Sequence, residues 1–69
     1  MTAIGIMLNG EPRRVPAAGT LADLLHTLGL DPRTVVVEHN RGIVRRPQLA
    51  ETPVNDGDMV EVVHFVGGG

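Results

Sequence analysis

The sequence contains no cysteine, no serine and no lysine, and each absence excludes a kind of chemistry. Without cysteine the chain forms neither disulfides nor thiolate–metal sites. Without lysine it has no amine for Schiff-base catalysis, and without serine it has no serine nucleophile. Its threonines form no recognisable pair with a neighbouring base. An enzyme is therefore the least favoured class of function.

Aromatic residues and positive charge are also scarce. Phe65 is the only aromatic residue, and the formal net charge is −2 at pH 7. Nucleic-acid-binding domains normally show a basic face and aromatic stacking platforms, so we expect no nucleic-acid partner. No apolar run approaches the roughly 18 residues of a membrane span, and the amino-terminal residues lack the basic segment of a secretory signal. We expect a soluble, cytoplasmic protein without a membrane partner.

At 69 residues the chain is long enough for one domain. A domain of this size buries only about 60% of the surface that its unfolded chain exposes, so it supports one thin core. That core must be aliphatic, because the chain has no cysteine and one aromatic residue. We predict a single domain over residues 1–66, followed by a flexible glycine tail over residues 67–69.

Alternating apolar residues predict a sheet. Ile4, Ile6 and Leu8 alternate with their neighbours as in a half-buried strand, and Asn9-Gly10 is the strongest short signal for a two-residue hairpin turn. The strand that follows contains two prolines, which favours a sheet edge. Later segments rich in β-branched residues predict further strands. The five strands are expected over residues 3–8, 11–15, 35–39, 43–44 and 59–66.

One helix is predicted over residues 21–28. Thr20 is a favourable N-cap with Asp23 three residues further on, and Gly29 ends the helix. Four leucines at spacings of i, i+3, i+4 and i+7 form one apolar stripe. These are Leu21, Leu24, Leu25 and Leu28.

The order of these elements predicts the fold. The first and last strands are strongly apolar, which suits paired central positions, and one helix can cover one face of a small sheet. Residues 46–55 show no regular pattern, but Leu49 and Val54 are expected to point inward as anchors. We therefore predict an α+β fold of the ubiquitin-like β-grasp type, with a small mixed sheet of four to five strands packed on one main helix.

The titratable side chains show no catalytic or metal-binding arrangement. His26, His39 and His64 lie on three separate predicted elements, whereas metal ligation needs spacings that bring ligands together. We interpret them as surface or boundary residues and expect no metal site. Asp56 and Asp58 are interpreted as turn formers whose side chains bond nearby backbone groups.

The final Gly67, Gly68 and Gly69 allow two interpretations. Chain ends are often simply frayed. Alternatively, a polyglycine tail threads a narrow channel in a partner, because glycine has no Cβ. The carboxylate of Gly69 is then the reactive group: an activating enzyme adenylates it with ATP, and sulfur replaces the adenylate to give a thiocarboxylate.

Residue parity on the last strand indicates where a partner docks. Val63 and Phe65 share a face with Glu61, which should contact water. An exposed apolar strip beside a reactive tail indicates a docking surface, which Met7 and Val36 extend by the same parity. The alternative is that Phe65 folds over a sheet edge and belongs to the core.

Taken together, these segments resemble the bacterial sulfur-carrier family of thiamin biosynthesis, the ThiS type, over essentially the full chain. The matching segments are Leu8–Glu11, Thr20–Leu25, Val35–Asn40, Ile43–Val44 with Arg46, Asp56–Asp58 and Val60–Gly69. The last segment is the most specific, because a β-grasp pattern of the right length ends there in Gly-Gly. Two departures are Arg45, where members often have proline, and a third glycine in the tail.

The resemblance implies a carrier that enzymes act on and that binds no cofactor itself. An E1-like adenylyltransferase of the ThiF type activates Gly69 with ATP and magnesium, and Gly68 is its penultimate partner. A cysteine desulfurase system supplies the sulfur. Thiazole synthase of the ThiG type then uses this sulfur to build the thiazole ring of thiamin.

Three alternatives remain open at this point. A molybdopterin-type sulfur carrier has the same fold and tail but is typically about a dozen residues longer. A ubiquitin-like modifier joined to protein lysines is compatible with the same tail chemistry. A non-catalytic β-grasp module, such as a regulatory or RNA-binding domain, predicts a basic surface, which this acidic chain does not favour.

Overall fold

The computed structural model describes residues 2–17 and 19–65, which form five strands and one α-helix. The strands are β1 (Ala3–Leu8), β2 (Glu11–Pro16), β3 (Val35–His39), β4 (Gly42–Val44) and β5 (Met59–His64), and the helix is α1 (Leu21–Thr27). All six predicted elements are present, and their described boundaries agree within one residue except at the end of β5. Phe65 follows that strand, and the predicted continuation to residue 66 lies outside the described residues.

The sheet has the strand order β2–β1–β5–β3–β4. β1 and β5 are parallel neighbours at its centre, as their apolar character predicts, and the other pairs are antiparallel. The hairpin between β1 and β2 turns at Asn9 and Gly10, with φ angles of 51° and 83°. Asparagine and glycine tolerate this left-handed region best. The predicted β-grasp arrangement is confirmed.

Helix α1 packs on one face of the sheet, and its ends are stabilised as predicted. The backbone N–H of Asp23 donates to Oγ1 of Thr20 at 3.3 Å, and the N–H of Thr20 donates to the Asp23 carboxylate at 2.9 Å. This reciprocal pair is a capping box. At the other end, Gly29 adopts a φ of 73° and donates its N–H to the carbonyl of His26, which ends the helix.

The core is aliphatic and lies between α1 and the sheet. Eleven apolar side chains of the described residues are buried in it: Ile6, Val15, Leu21, Leu24, Leu25, Val35, Val37, Leu49, Val54, Val60 and Val62. Leu49 and Val54 are therefore inward anchors, as predicted. The end of the leucine stripe is looser, because Leu28 is only partly buried.

Two short 3-10 helices, Pro32–Thr34 and Arg46–Glu51, were not predicted. Each has proline at its first or second position, where its fixed φ and missing N–H are tolerated. The segment 46–55, expected to be irregular, thus begins with a 3-10 helix that carries Leu49 into the core. Such short turns have no apolar period long enough to recognise in a sequence.

A polar cluster joins the end of β3 to the turn before β5. Nε2 of His39 lies 2.7 Å from Oδ2 of Asp58, which also accepts the backbone N–H of Asn55 at 2.8 Å. Burial raises the pKa of the Asp58 carboxyl, but hydrogen bonds from Asn55, His39 and Asn40 outweigh it and hold the pKa below its ordinary value of 3.8. Asp58 is therefore a turn former, as predicted, and His39 is a half-buried boundary residue with a carboxylate partner.

We expect Asp58→Asn to lower the free energy of unfolding by about 1–3 kcal/mol at neutral pH, because it removes a charged hydrogen-bond acceptor from this cluster. The folded-state pKa lies below 3.8, so the carboxylate stabilises the fold fully above that pH. This contribution is lost as the pH falls through the folded pKa. Urea unfolding as a function of pH should therefore show wild type and variant converging in acid. A difference that stays constant on acidification would contradict this role.

Candidate functional site

The sheet face opposite α1 carries a concentration of exposed apolar side chains. We call this surface the open face and define it by Met7, Val36, Ile43, Met59, Val63 and Phe65. Five of these are all the exposed large apolar side chains of the described residues, with exposed fractions of 39% for Met7, 69% for Ile43, 40% for Met59, 61% for Val63 and 59% for Phe65. Apolar side chains that collect on one side of a small domain indicate an interaction surface.

Strand pairing arranges the open face in rows. Val63 lies opposite Val36 in the antiparallel pair of β5 and β3, and Glu61 lies opposite Glu38 in the same pair. Ile43 of β4 pairs with Glu38 from the other side. Like charges directly opposite each other are unfavourable in a sheet. The open face therefore contains two opposed carboxylates, which concentrate negative charge at one position among its apolar side chains.

The structure brings the predicted docking residues together on this face. Val63 and Phe65 are exposed, so the alternative that Phe65 belongs to the core is wrong. Met7 lies opposite Met59 across the parallel pair of β1 and β5, and Val36 is partly buried between its neighbours. The exposure of Met7, Val63 and Phe65 agrees with the outward direction that strand parity predicted. The role of all four residues in docking stays a prediction.

The end of β5 is held in place next to the open face. The backbone N–H of Phe65 donates to the carbonyl of Thr34 at 2.9 Å, which continues the β3–β5 pairing one residue beyond the strand. The predicted reactive residue, Gly69, and its tail neighbours Gly67 and Gly68 lie outside the described residues. This bond fixes Phe65, the last residue that the structure describes, beside β3.

Asn9 links β5 to β1 beyond the last paired residues, a role that sequence reasoning missed. Its Oδ1 accepts the N–H of Val62 at 2.8 Å, and its Nδ2 donates to the carbonyl of Val62 at 3.3 Å. The side-chain amide therefore takes the place of a backbone peptide in the ladder. Because Val63 is the next residue, this bond positions the exposed part of β5. The Asn-Gly motif indicates only the local turn, and nothing in it indicates a bond to the last strand.

Ile43 and Met59 also belong to the open face, although the sequence did not assign them to the docking surface. Met59 shares the parity of Val63, which was a sufficient signal to include it. Ile43 lies on a strand of three residues, too short for parity to establish a face. Its position becomes clear only from its pairing with β3.

The remaining titratable groups form no further site in the described residues. His26 lies in the last turn of α1, His39 bonds Asp58, and His64 is exposed at the end of β5. No group of three or more His, Cys, Asp or Glu side chains in residues 2–17 and 19–65 is placed to hold a metal ion. Within the same ranges, the helices are all too short or too polar to cross a membrane.

A parallel central strand pair, antiparallel flanking strands and one helix on one face define the class of ubiquitin-like β-grasp domains. Within that class, the chain matches the model of the ThiS family over residues 6–69. A crystal structure of thiamine biosynthesis protein ThiS from Geobacter metallireducens is similar to it with a TM-score of 0.83 and 35% identity, over 96% of this chain and 100% of that one. The chain therefore belongs to the ThiS family of ubiquitin-like sulfur carriers.

The curated relatives that match the chain include sulfur carriers and thiazole synthases. The sulfur carrier protein ThiS of Bacillus subtilis is 43% identical over 65 residues, which cover 93% of this chain and 98% of that protein. Thiazole synthase of Paramagnetospirillum magneticum is 47% identical over 64 residues, which cover 93% of this chain but only 20% of that protein. The chain thus spans nearly the full length of the carrier and about a fifth of the thiazole synthase.

We expect Asn9→Gly to lower the free energy of unfolding by about 1–3 kcal/mol, because the partly buried N–H of Val62 loses its acceptor. Glycine tolerates the positive φ of this position, so the substitution isolates the side-chain bond from the turn. Gly10→Ala is the matched control, since it strains the same turn without touching Val62. Urea unfolding and the amide exchange rate of Val62 measure the effect. Unchanged exchange at Val62 in Asn9→Gly would show that the amide does not hold β5.

Proposed function

We propose that this chain carries sulfur as a thiocarboxylate on Gly69 and supplies it for the thiazole ring of thiamin. One observation carries the proposal: the exposed large apolar side chains of the described residues collect on the open face, and one of them, Phe65, comes two residues before the triglycine segment in the sequence. Relatives named as sulfur carriers and as a thiamine biosynthesis protein support it. The domain serves as the part that partners bind, and the tail serves as the reagent.

The proposed chemistry takes place at one carbon atom. A free carboxylate is a poor electrophile, so an oxygen of Gly69 first attacks the α-phosphorus of ATP and releases pyrophosphate. The acyl adenylate that results has AMP as its leaving group. Sulfide-level sulfur then attacks the carbonyl carbon, the bond to AMP breaks, and a thiocarboxylate forms. Without side chains, the tail glycines leave this carbon sterically accessible.

The chain requires partner enzymes, because the described residues offer no catalytic group for these steps. An E1-like adenylyltransferase of the ThiF type, with ATP and magnesium in its own active site, performs the activation. A cysteine desulfurase system provides the sulfur as a persulfide, and a thiol reductant supplies the two electrons that release it at the sulfide level, with a disulfide as the oxidised product. A thiazole synthase of the ThiG type then consumes the sulfur from the thiocarboxylate. The thiazole synthase of Paramagnetospirillum magneticum contains a region similar to this chain, which supports a direct partnership between carrier and synthase.

We expect one added alanine after Gly69 to abolish adenylation, because the carboxylate moves away from the α-phosphate and the new residue carries a Cβ. Adding one alanine before Met1 is the matched control and should leave adenylation intact. Intact-mass spectrometry after incubation with the adenylyltransferase, ATP and a sulfur donor measures both. Wild type should gain the mass difference between sulfur and oxygen at Gly69. Adenylation of the extended chain at the wild-type rate would contradict the assignment of Gly69.

We expect Phe65→Ala to weaken binding to the adenylyltransferase by about tenfold, as truncation of an exposed aromatic contact in an interface does. Its effect on stability should stay below about 1 kcal/mol, because the side chain is 59% exposed. Leu25→Ala should show the opposite pattern: Leu25 is 1% exposed, and such truncations cost about 2–5 kcal/mol. Titration calorimetry measures the effect of each variant on binding, and thermal unfolding measures its effect on stability. A large loss of stability in Phe65→Ala would show that Phe65 supports the core.

A further inference from the structure

A groove of about 490 Å³ opens at the end of the open face where β5 ends. Val36, Ile43 and Phe65 supply apolar walls, and Arg45 and Arg46 lie on its rim. Ile43 and Phe65 are among the most exposed apolar side chains of the described residues, at 69% and 59%. The groove therefore combines an apolar interior with a positively charged margin.

The charge at this margin contrasts with the rest of the chain. The chain has a net charge of −2 and six arginines, and a third arginine, Arg33, also lines the groove. Arg33 already bonds Asp31 at 2.9 Å. Arg45 and Arg46 form no ion pair within 4 Å among the residues that the structure describes. The Asp31 carboxyl, whose pKa is lowered mainly by hydrogen bonds from Arg33, is also within electrostatic reach of Arg46. Neither guanidinium of Arg45 and Arg46 is occupied by a direct ion pair of the described residues.

The position of the groove limits what occupies it during the proposed reaction. Phe65 is a wall of the groove and lies four residues before Gly69, the reactive residue of the proposed function. Four fully extended residues reach at most about 14 Å. A protein that binds the carboxylate of Gly69 in its active site therefore approaches to within about that distance of the groove.

We infer that this groove binds a segment of the activating enzyme in which an apolar side chain is flanked by carboxylates. The inference rests on the proposed function, because that function brings the enzyme to the tail. The apolar side chain fills the space between Phe65 and Ile43, and the carboxylates meet Arg45 and Arg46. Arginine presents a planar set of donors that matches a carboxylate in two parallel hydrogen bonds. The groove thereby orients the carrier so that its tail enters the active site.

The test compares two pairs of adjacent arginines on opposite edges of the sheet. Arg45→Glu with Arg46→Glu reverses the groove charge, and Arg13→Glu with Arg14→Glu makes the same change in net charge on β2. Binding to the E1-like adenylyltransferase is measured by calorimetry at several salt concentrations. We expect the groove variant to bind about tenfold or more weakly and to lose most of the salt dependence, because charge pairs at a rim act through long-range attraction. The β2 variant should stay within about threefold of wild type.

A second variant tests the apolar part of the same groove. Ile43→Ala should weaken binding about fivefold or more without changing the salt dependence, since it removes a contact and no charge. Thermal unfolding of every variant confirms that the domain remains folded before binding is compared.

The outcomes separate the inference from the function on which it rests. If wild type is not adenylated by the enzyme, the proposed function fails. If wild type is adenylated and the groove variant binds as tightly as the β2 variant, the function stands and the groove inference is overturned. Sedimentation of the chain alone tests a second copy as occupant. Self-association that the groove variant abolishes would also overturn the inference.

Discussion

The parallel contact between β1 and β5 is the interaction on which the rest of the structure depends, because it joins the two ends of the chain at the centre of the sheet. Only two residue pairs are in parallel register, and polar groups extend this short contact in both directions. At one end the Asn9 amide bonds Val62. At the other, the N–H of Gly5 donates to the Asp56 carboxylate at 2.8 Å, and the N–H of Gly57 donates to the carbonyl of Gly5 at 2.7 Å. These bonds fix the path of β5 through the centre of the sheet.

The division of the sheet into a covered and an open face follows from the size of the chain. One helix of seven residues covers one face, and the thin aliphatic core lies between that helix and the sheet. The other face keeps Met7, Ile43, Met59, Val63 and Phe65 exposed. A small domain with an exposed apolar strip risks aggregation. The carboxylate pair within the strip and the arginines at its margin place charges among the apolar side chains, and such charges disfavour nonspecific apolar contacts.

Local signals in the sequence predicted most of the fold, and long-range contacts explain what they missed. The leucine stripe with Thr20 and Gly29 at its ends specifies α1, because capping and periodicity act within a few residues. The bond from Asn9 to the last strand and the face occupied by Ile43 depend on strand pairing, which has no local signal. The exposure of Val63 and Phe65 followed from parity on β5, whereas the charged groove combines side chains from three separate stretches of the chain, around Arg33, Arg45 and Phe65. The proposed role of Gly69 rests on the chemistry of a glycine carboxylate and not on the described residues.

The most direct measurement of the central claim, that partners bind the open face while the core serves only as support, is a methyl NMR spectrum of the chain with and without the adenylyltransferase. The methyl groups of Ile43, Val63 and Met7 report on the open face, and those of Leu24 and Leu25 report on the core. The account predicts that the first group shifts or broadens on binding while the second remains unchanged. Changes confined to the residues around α1, with an undisturbed open face, would contradict it.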